Sequence, residues 1–138
     1  MQPVKSFTVF GEPDDLLVDG AMSHGTAAVM IQTTRPGGGP PPHMHTREDE
    51  TFTALEGEFE ILSEGKWSKI AVGDVVFAPR GHVHTFRNCG STSGKILIFV
   101  SPAGFENYLQ EVGPLSPATD MEKIVEISKR FGISFHPA

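Results

Sequence analysis

An all-β barrel or sandwich is the fold class predicted, and three observations predict it. Short alternating or apolar runs recur at regular spacing through the middle of the chain, each closed by turn chemistry. Fifteen Gly and eleven Pro among 138 residues supply many tight turns. No helical period separates the strands as βαβ units would require. The length suits one domain, residues 1–138, that buries about two thirds of its unfolded surface without disulfides or a structural metal.

Taken in order, residues 6–10 alternate polar and apolar and stop at Gly11-Glu12-Pro13-Asp14-Asp15, which reads as a turn cluster. Residues 16–18 form a short strand before Asp19-Gly20. Residues 26–34 are the first long strand, apolar on both faces over 27–31, so the core begins there. The Gly and Pro run from Pro36 to Pro42 excludes regular structure. A linker between domains competes with a rigid approach to His43. The short chain favours the rigid approach, because proline fixes φ.

Six short strands are predicted next, at 51–55, 58–63, 67–71, 74–78, 82–88 and 95–101. Their breaks are Glu56-Gly57, Glu64-Gly65-Lys66, Val72-Gly73, Pro79-Arg80-Gly81 and residues 90–94. The period then changes over a C-terminal helical segment, 103–132. Phe105, Tyr108, Leu109 and Val112 mark a helix over 103–112. Thr119-Asp120-Met121-Glu122 reads as a capping box before a stripe of Met121, Ile124, Val125, Ser128 and Phe131, closed by Gly132. Both helices are expected to pack on the outside of the barrel, over a face or edge.

The charge balance, 11 Lys+Arg against 17 Asp+Glu for a net of -6, disfavours nucleic acid and anionic membrane as partners. No apolar run approaches the length of a membrane helix. The single cysteine, Cys89, has no internal partner, and Met1-Gln2-Pro3-Val4-Lys5 does not open a secretory leader. These features predict a cytoplasmic protein.

Chemistry concentrates between Pro40 and Glu50. In an extended strand His43 and His45 point the same way and can share one ion. Glu50 lies an odd number of residues past His45, so a bulge or turn within Thr46-Arg47-Glu48-Asp49 must reset the phase before it can join them. Glu48 and Asp49 themselves read as a solvated hairpin tip. His82 and His84 share a strand face, and spacing alone does not choose between them. His24 and His136 read as solvated.

The chain from Gly37 to Asn88 carries two patterns that resemble those of the cupins. Gly37, His43, His45, Glu50 and Gly57 match the first motif (residues 37–57) in type and spacing. Gly73, Pro79, Gly81, His84 and Asn88 match the second (residues 73–88). The detailed wording, Pro-Pro-His-Met-His and His-Thr-Phe-Arg-Asn, resembles small single-domain cupins similar to quercetin 2,3-dioxygenase.

The resemblance implies a double-stranded β-helix, or jelly-roll, barrel with a metal held by His43, His45, Glu50 and His84, and it selects His84 over His82. Such a donor set suits a divalent transition metal, iron first, with manganese, nickel, cobalt, copper or zinc also accommodated. Four protein ligands on an octahedral ion leave two positions for substrate or O₂. A dioxygenase-like oxidoreductase is the leading expectation, with Glu50 as a base toward a substrate hydroxyl. A non-catalytic small-molecule binding or sensing module is one alternative. A redox-neutral lyase or isomerase is the other.

Phe52 and Phe86 stand two residues after metal-ligand candidates and are expected in the pocket wall, with Met30, Gln32, Phe77, Ile96 and Ile98 as further candidates. No Lys or Arg cluster points inward, which favours a small apolar or aromatic substrate over a sugar phosphate. Family members often pair barrels through an N-terminal strand such as residues 6–10, so a homodimer is predicted.

Overall fold

Two antiparallel sheets face each other in the computed structural model, which describes residues 2–136. In chain order the strands are β1 (Lys5–Val9), β2 (Glu12–Val18), β3 (Ala28–Thr34), β4 (His43–His45), β5 (Asp49–Glu56), β6 (Phe59–Ser63), β7 (Lys66–Ile70), β8 (Val75–Ala78), β9 (His84–Asn88) and β10 (Gly94–Ser101). Helices α1 (Phe105–Val112) and α2 (Met121–Arg130) come next, then β11 (Ile133–Phe135). The first sheet runs β1-β2-β3-β10-β5-β8 and the second β11-β4-β9-β6-β7. From β3 onward the chain crosses repeatedly between the two sheets, as in a jelly roll.

Period-two alternation builds the core. Leu16 faces Met30 across β2 and β3, Met30 faces Ile98, and Ile98 faces Phe52, so one buried row crosses the first sheet. Phe59, Ile61 and Phe86 answer it from the second sheet, with the Phe52 and Phe86 rings 5.7 Å apart and those of Phe59 and Phe86 6.1 Å apart. Fully burying side chains of this size stabilises the fold by roughly 1.5–3 kcal/mol each.

The Gly and Pro run is a rigid approach. Gly37 N–H donates to Asn88 O and Asn88 N–H to Gly38 O, both at 2.9 Å, while Thr85 Oγ1 donates to Pro40 O at 2.6 Å. Gly39 has φ of +145°, and a Cβ there would stand 2.1 Å from Phe86 O, so the contact with β9 requires glycine.

Three elements depart from expectation. The turn before β2 is confined to Phe10 and Gly11, both at positive φ, so Val9 pairs with Glu12 and residues 12–15 are strand. Helix α2 has no side-chain cap; the Asp120 carboxylate instead accepts Ser116 N–H at 2.9 Å. Ile124, Ile127 and Ser128 form its buried stripe, whereas Met121 is exposed. Strand β11 carries no alternation long enough to read, yet it pairs with β4 through Ile133 to His45 and Phe135 to His43.

Candidate metal centre

Backbone pairing brings the four residues together. His43 is the cross-strand partner of His84, which places two imidazoles on one face of the second sheet, and alternation along β4 adds His45. Glu50 comes from β5 of the opposite sheet, where it pairs with Ala78. Its phase is reset by this crossing between sheets at residues 46–48 instead of by a bulge within one strand. All four side chains are buried, and one ligand atom from each lies within 4.8 Å of the others.

The hydrogen bonds fix which imidazole nitrogens face the centre. Nδ1 of His43 lies 2.8 Å from Pro41 O, Nδ1 of His84 3.1 Å from His82 O, and Nδ1 of His45 3.2 Å from Glu48 Oε1. Carbonyl oxygens accept and never donate, so in His43 and His84 the proton sits on Nδ1 and the Nε2 lone pair is free. Nε2 of His45 and of His84 and Oε1 of Glu50 are buried without a hydrogen-bond partner. His45 Nε2 approaches Glu50 Oε1 to 2.8 Å and His84 Nε2 approaches Glu50 Oε2 to 3.4 Å. Buried acceptors converging this closely are satisfied by a shared cation, a proton or a metal ion. Donors about 2.0–2.2 Å from an ion span up to about 4.4 Å, so the cage fits a first-row metal after a shift of a few tenths of an ångström.

The electrostatics describe the same demand. Burial, then the neighbouring His84 and His45, lowers His43 to about 3 and keeps it a neutral ligand. Burial also opposes a charge on His45, but the Glu50 and Glu48 carboxylates outweigh it and push this residue up to about 10. Burial would raise Glu50, yet His45 and His84 hold its carboxyl well below the usual range. The centre thus pairs an ionised carboxylate with a positive charge, a role that a metal ion can fill in place of a proton.

The sequence places Glu48 at a solvated tip, with Asp49. Asp49 does pair with Arg80 at 3.1 Å near the surface, but Glu48 is buried against His45. An out-of-phase carboxylate three residues after a ligand histidine was the available signal. Glu48 orients His45 as carboxylates orient metal-bound imidazoles. Glu48→Ala is expected to weaken metal binding by about 10–100-fold, with Glu48→Gln closer to wild type; competition with a chelator measures both.

A cavity of about 450 Å³ opens on His43 and Glu50. Among the pocket candidates, Gln32, Phe86 and Ile98 line it. Phe77 does not: Glu50 faces inward opposite Ala78, so its neighbour Phe77 turns outward and is 58 % exposed. Met30 and Ile96 are also outside the lining, fully buried in the core behind it, and Phe52 packs at 5.7 Å between ring centres against His84 from the core side. Helix α1 also contributes Phe105, Tyr108 and Leu109 to the cavity wall, and the Phe105 ring lies 4.7 Å from that of His45. His82 is exposed, 3.9 Å from Glu64. His24 is exposed, and His136 Nε2 meets Ser134 Oγ at 2.8 Å.

Known proteins share parts of this chain and its fold. The chain is 43 % identical over 58 residues to an uncharacterized protein of Aquifex aeolicus, covering 42 % of this chain and 48 % of that one. It is 39 % identical over 67 residues to germin-like protein subfamily 2 member 2 of Arabidopsis thaliana, covering 45 % and 31 %. The matches therefore span half or less of these relatives. In structure it is similar to KdgF from Halomonas sp. (TM-score 0.66, 19 % identity, 75 % and 90 % covered), which bears on the fold alone. It also resembles a predicted oxalate decarboxylase of Thermotoga maritima (TM-score 0.64, 25 % identity, 71 % and 90 % covered). The cupin domain model matches residues 30–100, more than half the chain and the whole of the four-residue centre, so this protein belongs to the cupin family.

Proposed function

We propose that this cupin is a dioxygenase-like oxidoreductase acting on a small apolar or aromatic substrate. The observation that carries the reading is the placement of a largely apolar cavity, walled by Val9, Phe86, Ile98, Phe105 and Leu109, directly against His43 and Glu50. A bound divalent transition metal, iron by preference, would supply Lewis acidity and positions for substrate and O₂. His43, His45 and His84, through their Nε2 atoms, and Glu50 would hold it. Glu50, ionised and at the cavity edge, would accept the proton of a substrate hydroxyl. Phe105 and Leu109 would exclude water from that proton transfer.

Iron-loaded protein is expected to consume O₂ with members of a flavonol and catechol panel, and Glu50→Gln to abolish this. Turnover that proceeds under argon would instead support a redox-neutral lyase or isomerase, the reading favoured by the resemblance to a predicted oxalate decarboxylase. Unchanged recovery of a bound ligand would support a binding or sensing module.

A homodimer in the cytoplasm is part of the same proposal. Besides β1 at the sheet edge, the outer face of the first sheet exposes Val75, Phe77 and Phe99, an apolar patch suited to a second copy. Sedimentation is expected to give twice the chain mass; a monomer at micromolar concentration would remove this part.

A further inference from the structure

The cavity that opens on His43 and Glu50 has a second polar region, away from the metal centre, lined by Glu12, Gln32 and Arg35. Gln32 stands on the inward face of β3, between the buried Met30 and Thr34, and its carboxamide reaches the cavity. Among the described residues it makes no side-chain hydrogen bond. Asp14, its cross-strand partner, is buried and lies outside the lining.

Arg35 directly follows β3. Glu12, buried on β2, accepts the Arg35 backbone N–H at Oε2, at 3.2 Å, and Nη1 at Oε1, at 2.8 Å. Nη1 also lies against the β1–β2 turn, where a Cβ on Gly11 would stand 3.9 Å from it. The guanidinium is therefore moored through one terminal nitrogen. Its Nε and Nη2 have no protein partner among the described residues, and the side chain stays 64 % exposed at the cavity rim. Neutralising Glu12 needs only a point charge, whereas the Nε and Nη2 edge is a fork that receives a carboxylate through two parallel hydrogen bonds.

Register places this region relative to the metal centre. Glu50 pairs with Val100, and four residues further along β5 Ala54 pairs with Ile96, which faces Gln32. The two rows are about 13 Å apart at the usual strand rise. Glu12 lies two residues from the partner of Gln32, so Arg35 is moored to a diagonal neighbour of Gln32, about 7–8 Å away across the sheet. Ile98, from the intervening row, and Phe86 line the cavity as well.

We infer that Arg35 and Gln32 recognise a carboxylate at the far end of a ligand whose head faces His43 and Glu50. Arg35 donates through Nε and Nη2, and Gln32 through its amide nitrogen. This rests on the reading of the cavity as the substrate site, and it narrows the substrate to a carboxylic acid with an apolar or aromatic body. The Glu12 charge offsets that of Arg35, so a monoanion is matched and a dianion such as a phosphate monoester is not.

Calorimetric titration of metal-loaded protein tests this. Catechol and phenyl heads are each joined through a short alkyl chain to a carboxylate, a methyl ester or a primary amide. The carboxylate is expected to bind about tenfold more tightly than the ester or the amide, because hydrogen bonds to an ionised acceptor are about twice as strong as neutral ones. Arg35→Lys, which keeps the charge beside Glu12 and removes the fork, is expected to cut that preference to about threefold or less. Gln32→Leu leaves the Glu12 and Arg35 pair intact and is expected to cut it similarly, by one hydrogen bond. It carries the test should Arg35→Lys fail to fold.

Equal binding of carboxylate, ester and amide, or an unchanged preference in either folded variant, would overturn the inference and leave the cavity reading standing. No binding by any probe would overturn both. Equal affinity for catechol and phenyl heads with the carboxylate preference intact would count against the metal reading and support the carboxylate site.

Discussion

Alanine in place of His84 is expected to lower the metal content of the purified protein from about one ion per chain to less than about a tenth of that. The imidazoles are not interchangeable, because each is aimed by a bond on its far nitrogen and turns Nε2 toward the centre. Removing His84 also deletes one of the two histidines that approach Glu50, leaving the carboxylate with His45. That remaining pair suits a proton on His45 better than a metal, since Glu50 and Glu48 already favour the charged imidazole.

The fold is expected to survive the change. The rows around Phe52, Ile98 and Phe86 are buried independently of the ion. What is lost is the ligand linkage, about 4 kcal/mol for a metal present at a thousand times its dissociation constant. For a domain of this size that corresponds to a melting temperature lower by about 14 °C. EDTA should therefore lower the melting temperature of the wild type and leave His84→Ala unmoved. Elemental analysis showing a full complement of metal in the variant would exclude His84 as a ligand.

Much of this centre was legible because it depends on short-range geometry. Alternation alone put His43 and His45 on one face, and β4 keeps them there. The phase of Glu50 signalled an interruption after His45, but its nature depends on which sheet each strand joins, and nothing local to residues 46–49 encodes that. The pocket was less legible for the same reason. Phe77 has the composition of a core residue, yet its face is set by the pairing of Glu50 with Ala78. Helix α1 showed its apolar stripe in the sequence, while the surface the stripe covers is defined by residues far away in the chain. Asp14 was hidden by its neighbours: Gly11-Glu12-Pro13-Asp14-Asp15 has turn composition, and pairing with β1 and β3 overrides that preference.

Asp14→Asn is expected to flatten the dependence of stability on pH. Burial, reinforced by the Glu12 and Asp15 carboxylates, raises Asp14 from 3.8 to about 8. The folded protein therefore holds a proton on Asp14 that the unfolded chain gives up above about pH 4. Between those two values the native state binds more protons than the unfolded state, so stability falls as pH rises. The favourable contribution is complete below about pH 4 and lost above about pH 8. Each pH unit inside the window corresponds to at most about 1.36 kcal/mol. From about pH 5 to pH 8 the wild type should lose about 2–4 kcal/mol relative to Asp14→Asn, which has the same shape and no proton to release.

Urea midpoints for the two proteins, both metal-loaded and measured at each pH, isolate this difference, because the titration of the metal ligands is common to them. Curves that stay parallel across this range would mean that Asp14 is solvated or paired in solution. A wild-type curve that falls relative to the variant would show a neutral carboxyl held inside the barrel near neutral pH, able to donate as well as accept a hydrogen bond.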